Sequence, residues 1–363
     1  MANRIKSFAR KAEQIEQGQH IITLTPFQAL KDLPTSLTGS QCVPHKHEIL
    51  ICGGYDQRDC YSYDTLKNKY KFICEYPNDV YLEGHCVVKL VNNNKDRNQI
   101  TLLSFGGMEK HTLIMKYVSI WGDDNEMNKL NKSNNYNQWV PFTNNNNHPI
   151  IIGRDEDDYD GVRAVIGGGS NNLLFITYWR NNISVFDLNT FQFIKHHTLP
   201  ISSFTSISYH CFKKNYEMLL FYKKTGLSIE YNEDKNVFQF NELSVRGDIA
   251  SLNYYAYVCI NDIVLFFGGY GNHVYSGLVH KYLIQESKWI TFQSTLSSPL
   301  KNCVAILSED DTNIHILGGQ SDEKTIVSIH MKTKVHVWDA SQLIKLGWID
   351  DFDQIIFKYS RKK

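Results

Sequence analysis

Short apolar runs rich in Val, Ile, Leu, Phe and Tyr recur along the whole chain, separated by polar turn residues, a pattern that predicts strands rather than helices. Three of these runs close on a glycine pair: ILICGG at Gly53-Gly54, LLSFGG at Gly106-Gly107 and VLFFGG at Gly268-Gly269. A fourth, IHILGG, closes at Gly318-Gly319. The first two pairs lie 53 residues apart and the last two 50, and the 162 residues between the second and third accommodate three steps of 54. Two further copies without glycines are therefore expected in that gap. A fixed period of this length means that one supersecondary unit is repeated.

A second landmark has the same period: an aromatic, usually Asp or Asn next, and another aromatic seven residues after the first. Tyr63-Asp64 leads to Tyr70, Phe186-Asp187 to Phe193, Tyr231-Asn232 to Phe238, and Tyr282 to Trp289. A weaker copy runs from His330 to Val337, and in the second repeat Tyr117 or Trp121 leads to Trp139 across an Asn-rich insertion, Asn128 to Asn137. Such spacing predicts a hairpin whose turn is led by Asp or Asn, with two rings on neighbouring antiparallel strands. Glycine pairs let a neighbouring backbone come close and permit positive φ as the strand ends. Each repeat also has an apolar strand ahead of this hairpin, for example HCVVKL at His85–Leu90 and YAYVCI at Tyr255–Ile260, which makes four strands per repeat.

A four-stranded sheet cannot bury both of its faces alone, so six such sheets must stack around an axis until the ring closes. These residues resemble the kelch family, whose repeat is an apolar strand ending in Gly-Gly, a variable loop, a Tyr and a later Trp. The resemblance covers residues 22–340, is fullest in the fifth repeat, and is degenerate in the third and fourth, where ITYW and LLFYKK replace the glycine pair. It implies an all-β, six-bladed kelch-type β-propeller. The segment Ile22–Pro34 reads as an outer strand that completes the last blade from the N-terminal side. Outside the ring, residues 1–21 form an extension with helical spacing at Ile5, Phe8, Ala12 and Ile15, and residues 341–363 form a tail with a helix expected near Asp350.

Charge and composition narrow the function. Lys plus Arg number 38 and Asp plus Glu number 38, so no net field draws the chain to nucleic acid or to an anionic membrane. No apolar run is long enough to span a bilayer as a helix, and the charged first twenty residues contain no secretory h-region, which points to the cytoplasm, or also the nucleus. The eight cysteines fall without a C-x-x-C and read as small core hydrophobes kept as thiols.

Sites for chemistry are sparse. Asp155–Gly161 (DEDDYDG) begins like a calcium loop, but the position of the bidentate Glu holds Ile166, so it reads as a solvated acidic loop. His196 and His197 are adjacent and should point to opposite sides of a strand. VIGGGSNN at Val165–Asn172 lacks a phosphate-binding signature, and the single Trp338-Asp339 pair does not repeat as a WD propeller requires. A galactose-oxidase-like copper enzyme is the enzymatic precedent for the architecture, but no cofactor and no catalytic residue is assigned. The expected role is a non-enzymatic scaffold that binds a protein or peptide through loops following the glycine pairs: Tyr55 and Arg58, Met108 and Lys110, Tyr270, Asn272 and His273, Gln320 and Asp322. The alternative is a substrate-receptor subunit of a larger assembly such as a ubiquitin ligase.

Overall fold

In the computed structural model the described residues are 26–91, 99–122, 135–202, 206–214 and 217–339. They fold into six four-stranded antiparallel sheets. Blade 1 is Gln41–His45, Glu48–Gly54, Gln57–Asp64 and Lys69–Glu75; blade 2 is His85–Leu90, Gln99–Gly106, His111–Val118 and Val140–Pro141. Blade 3 is Arg163–Gly167, Leu173–Tyr178, Asn182–Asp187 and Gln192–Thr198; blade 4 is Cys211–Lys214, Met218–Tyr222, Thr225–Asn232 and Val237–Glu242. Blade 5 is Ala256–Ile260, Ile263–Phe267, Leu278–Leu283 and Lys288–Thr295. Blade 6 takes three strands from the end of the chain, Val304–Leu307, Asn313–Leu317 and His330–Lys334, and its outer strand, Gln28–Ala29, from the start. That outer strand pairs Gln28 with Lys332 and Ala29 with Met331. Three more N–H groups of the same segment continue the seam: Leu30 donates to His330 O (2.8 Å), Leu33 to Ser328 O (2.7 Å) and Leu37 to Val327 O (3.3 Å).

The second strand of each blade is mainly apolar and buried along almost its whole length because both of its faces are covered. Within Glu48–Gly54, Ile49 and Ile51 face blade 6 while Leu50 and Cys52 face blade 2. Leu102 and Leu103 likewise divide between the blade 1 and blade 3 interfaces. The six apolar clusters correspond to the six blade-to-blade interfaces, so the core is a ring and each blade is held by its neighbours. The first glycine of each pair is where a blade touches the entry to the next. A Cβ would lie 2.4 Å from Leu82 at Gly53, 2.6 Å from Val162 at Gly106, 2.4 Å from the Leu300 carbonyl at Gly268 and 2.3 Å from the Leu37 carbonyl at Gly318.

The aromatic landmarks are cross-strand partners. Tyr63 opposes Tyr70, Phe186 opposes Phe193, Tyr231 opposes Phe238 and Tyr282 opposes Trp289. Their ring centroids are 4.8, 5.1, 4.9 and 4.9 Å apart. The copy proposed from His330 to Val337 is not such a pair. Val337 lies in a short 3-10 turn, Val335–Val337, because the strand that would return beside His330–Lys334 is supplied by the other end of the chain. In blade 2, Trp139 stacks on Tyr76 of the neighbouring blade edge (4.7 Å, 21°), and the Tyr117 hydroxyl instead donates to the buried Glu48 carboxylate. Trp338 is buried against Phe27 and Phe292 between blades 5 and 6, with its indole N–H on Thr333 Oγ1 (3.0 Å).

The helical extensions expected at residues 3–18 and near Asp350 lie outside the described residues, as does most of the Asn-rich insertion. Among the described residues the 3-10 turn is the one helical element, and no helix is long and apolar enough to cross a membrane.

Candidate functional site at the channel mouth

The inner strands of all six blades surround a central cavity of about 190 Å³, lined by Ser40 and Cys42, Cys86, Arg163, Tyr209, Tyr254 and Asn302 among others. Each inner strand is entered through one residue in the left-handed region: Gly39 (φ 64°), Gly84 (71°), Gly161 (71°), Tyr209 (51°), Tyr254 (56°) and Asn302 (52°). Backbone hydrogen bonds join these positions from blade to blade. Gly161 N–H donates to Gly84 O (3.0 Å), Tyr209 N–H to Gly161 O (3.0 Å), Asn302 N–H to Tyr254 O (2.8 Å) and Gly39 N–H to Asn302 O (2.9 Å). The next residue along often clasps the preceding blade: His85 Nε2–H donates to Cys52 O (3.1 Å), His210 Nε2 bonds Thr177 Oγ1 (2.6 Å), and the Tyr255 hydroxyl donates to Phe221 O (2.7 Å).

Glycine serves three of the six left-handed positions, where it has no Cβ to strain. A tyrosine there costs about 1–2 kcal/mol, and Tyr209 and Tyr254 both accept it. Their rings sit 5.0 Å apart at the mouth. On one side the Arg163 guanidinium lies 5.7 Å from the Tyr209 ring; on the other, Lys301 Nζ lies 5.8 Å from Tyr254 and closer still to Tyr270 (4.8 Å) and Tyr275 (5.3 Å). The result is a continuous run, cation, ring, ring, cation, crossing blades 3 to 6. Arg163 Nη1 donates to the Val162 carbonyl (2.8 Å), and no carboxylate of a described residue lies within ion-pairing distance of its guanidinium. The nearby Asp160 is engaged by the Tyr209 hydroxyl (2.7 Å), and burial raises its pKa above the ordinary value. Burial also pushes His85 down to about 3, with His111 and Arg163 adding repulsion.

The loops after the glycine pairs are on this same side of the ring. Tyr55 is exposed with its edge towards Tyr81, and the Arg58 guanidinium donates to the Asn78 side chain. Met108 is 58% exposed. Lys110 is different: its ammonium donates to the carbonyls of Arg154 (2.5 Å), Asp155 (3.1 Å) and Asp157 (3.1 Å), so it fastens a loop of its own chain and is not held out to solvent. Asn272 and His273 form the two-residue turn of a small hairpin that pairs Tyr270 with Tyr275, both with positive φ as a type I′ turn requires. Gln320 pairs with Lys301 and accepts from the Tyr275 hydroxyl (3.2 Å), and Asp322 is exposed beyond it. Tyr270 and Gln320 are thus brought to one cluster around Lys301, whereas Tyr55, Arg58 and Met108 stand on blades 1 and 2.

The acidic loop Asp155–Gly161 is more than a solvated turn. Asp157 is 6% exposed, accepts from Arg154 N, Nε and Nη2 (3.0, 3.2 and 2.8 Å), and is held below the usual carboxylate range by those bonds acting against its burial. His196 and His197 do point to opposite sides: His196 bonds Ser184 Oγ (2.8 Å) while His197 stacks on Phe240 (5.5 Å). Among the described residues no three His, Cys, Asp or Glu side chains converge to hold a metal ion.

Sequence reasoning missed Arg163, Tyr209, Tyr254 and Lys301, because it searched the loops after the glycine pairs and not the entries to the inner strands. A signal existed. TGSQCV, EGHCVV, DGVRAV, SYHCFK, NYYAYV and KNCVAI each place the left-handed residue second, ahead of an inner strand.

No protein-family model matches the chain, and no curated protein matches it by sequence. Among solved structures it is similar to one titled "Structure of YjhT", with a TM-score of 0.58 and 12% identity over 84% of this chain and 96% of that one. With the glycine pairs and the paired aromatics, that likeness establishes the fold as a kelch-type six-bladed β-propeller.

Proposed function

We propose that this chain is a non-enzymatic recognition module whose channel mouth, on the side of the glycine pairs, receives an acidic segment of a protein or peptide partner. The observation that carries the reading is Arg163, a guanidinium at the rim of the cavity with no carboxylate of a described residue within ion-pairing distance, beside the Tyr209 ring, which in turn packs on Tyr254. A guanidinium offers several donors in a fixed fork that matches a carboxylate. Lys301 at the far end of the aromatic run supplies a second positive charge, and the rings between them offer stacking area at low entropic cost. Backbone hydrogen bonds beneath tie the blade 3 and blade 4 entries to one another and the blade 5 and blade 6 entries to one another, so little ordering is needed on binding. Tyr270, Gln320 and the hairpin carrying Asn272 and His273 extend the same surface outward.

The test is fluorescence polarisation with labelled Glu/Asp-rich and Lys-rich peptides of equal length, titrated with the full chain. Acidic peptides should bind preferentially and weaken with salt. Arg163→Ala should weaken that binding by about tenfold or more, the loss of a charged hydrogen bond, and Lys301→Ala by less. Equal binding of the Lys-rich peptides, or full retention by Arg163→Ala, would remove the proposal.

A further inference from the structure

Blade 1 contains a feature unrelated to the channel. Cys52, Cys60 and Cys74 lie on three successive strands and are direct cross-strand partners, Cys52 opposite Cys60 and Cys60 opposite Cys74. All three face blade 2, in the cluster that also holds Met115, Tyr76 and Trp139. The register breaks into a bulge beside each pair, after Cys52 and after Cys60, which bends the strands locally around the sulfurs. Opposed residues in an antiparallel ladder have Cα atoms about 4.5–5.5 Å apart, inside the span of about 4.4–6.8 Å that a disulfide needs.

The sulfurs are also distinguished by what surrounds them. The indole N–H of Trp139, reaching in from blade 2, donates to Cys60 Sγ at 3.3 Å, and the Cys74 thiol lies 3.8 Å from Met115 Sδ. Burial alone would raise the Cys60 pKa, but bonds from Cys52, Cys74, Trp139 and the Gly53 N–H together bring it below the ordinary thiol value, while Cys52 and Cys74 are raised. Cys60 is the member of the row whose thiolate the surroundings favour. Cys52 and Cys60 are fully buried, and Cys74, on the outermost strand, is partly open to solvent. A purely apolar core has no need to align three sulfurs with an N–H aimed at the middle one.

We propose that this row is an oxidant-responsive site in which a peroxide links Cys60 to Cys74. The Cys60 thiolate draws the proton from the neighbouring Cys74 thiol, hydrogen peroxide transfers one oxygen to the accessible Cys74 thiolate, and the hydroxide released takes that proton back from Cys60, giving a sulfenic acid and one water. The Cys60 thiolate attacks that sulfur, the S–S bond forms, and the departing hydroxide takes up the proton Cys60 released, giving the second water. Two thiols and one peroxide become one disulfide and two waters. The product staples the two outer strands of blade 1 next to Trp139, and dithiol reductants reverse it.

The experiment uses the full chain, reduced, desalted and exposed to a limiting dose of hydrogen peroxide, then quenched in acid, alkylated while unfolded and mapped by peptide mass spectrometry. The first disulfide should join the Cys60 and Cys74 peptides, with Cys42, Cys86, Cys211 and Cys303 still alkylated. In Cys60→Ser the disulfide should vanish and Cys74 should instead be trapped by dimedone as the sulfenic acid. Cys211→Ser should leave the link unchanged. A first disulfide between any other pair, or a Cys74 that passes to the sulfinic acid while Cys60 stays alkylatable, would overturn the proposal. Should Cys60→Ser not fold, the wild-type map decides by itself.

Discussion

The seam between blade 6 and blade 1 is where a ring built from a linear chain is most exposed to failure, and one carbon atom tests it. Gly318 has φ 57°, and a Cβ there would stand 2.3 Å from the Leu37 carbonyl oxygen. That oxygen accepts the Gly319 N–H at 2.7 Å, and Leu33 and Leu37 pack in the blade 6 to blade 1 interface beside it. Gly39 provides the control: φ is 64°, but a Cβ would meet nothing within 4 Å. Gly39→Ala should therefore cost only the left-handed strain, about 1–2 kcal/mol. Gly318→Ala bears the same strain, and because backbone must withdraw it also forfeits the seam hydrogen bond, a further ~1–3 kcal/mol for a buried group left unpaired. Equilibrium urea unfolding, followed by tryptophan fluorescence and circular dichroism together, should show Gly318→Ala about 2 kcal/mol less stable than Gly39→Ala, with one shared transition. If the two variants agree within ~0.5 kcal/mol, a typical error of such comparisons, the N-terminal segment does not close the ring as described.

Two other outcomes follow from polar groups that the fold engages. His85 is held neutral, pushed down to about 3 by burial from an ordinary 6.5, so the unfolded chain takes up a proton that the folded chain refuses. Its contribution to stability is therefore complete above pH ~6.5 and is lost as pH falls towards 3, amounting to roughly 2 kcal/mol at pH 5. Urea midpoints at pH 7.5, 6 and 5 should show a shallower acid loss in His85→Gln than in wild type, and equal slopes would mean that His85 is not kept neutral. Lys110→Met should release the Arg154–Asp157 loop that its ammonium holds by three carbonyls. Amide exchange across residues 154–157 should then accelerate about tenfold, as expected for losing ~1.4 kcal/mol of local stability; unchanged protection would show that the lysine fastens nothing.

How much was legible differs from element to element. Tyr63 with Tyr70 and Tyr282 with Trp289 could be paired from spacing alone, because a tight hairpin fixes which residues oppose one another. His330 with Val337 could not, since the missing return strand comes from a segment some three hundred residues away in the chain. The glycine pairs announced close approach but not what approaches, which turned out to be the entry to the following blade. Lys110 looked like any loop cation; only the folded positions of three carbonyls from a distant loop turned it into an internal fastener. Asp157 looked solvated for the same reason, and Arg154 three residues away was the overlooked partner. The cysteine row escaped notice because its members are separated by turns of unequal length, and register across two bulges has no simple period.

By itself the sequence determined the repeating unit, since strand propensity, turn chemistry and the need to cover both faces of each sheet are local or nearly local properties. It determined the number of units as well, because the period is carried by residues that each blade needs for its own hairpin. Which side chains meet at the centre was decided only by the tertiary structure. Arg163, Tyr209, Tyr254 and Lys301 belong to four different blades, and what makes them neighbours is the curvature accumulated as six twisted sheets close on one axis. No pairwise spacing along the chain encodes that sum.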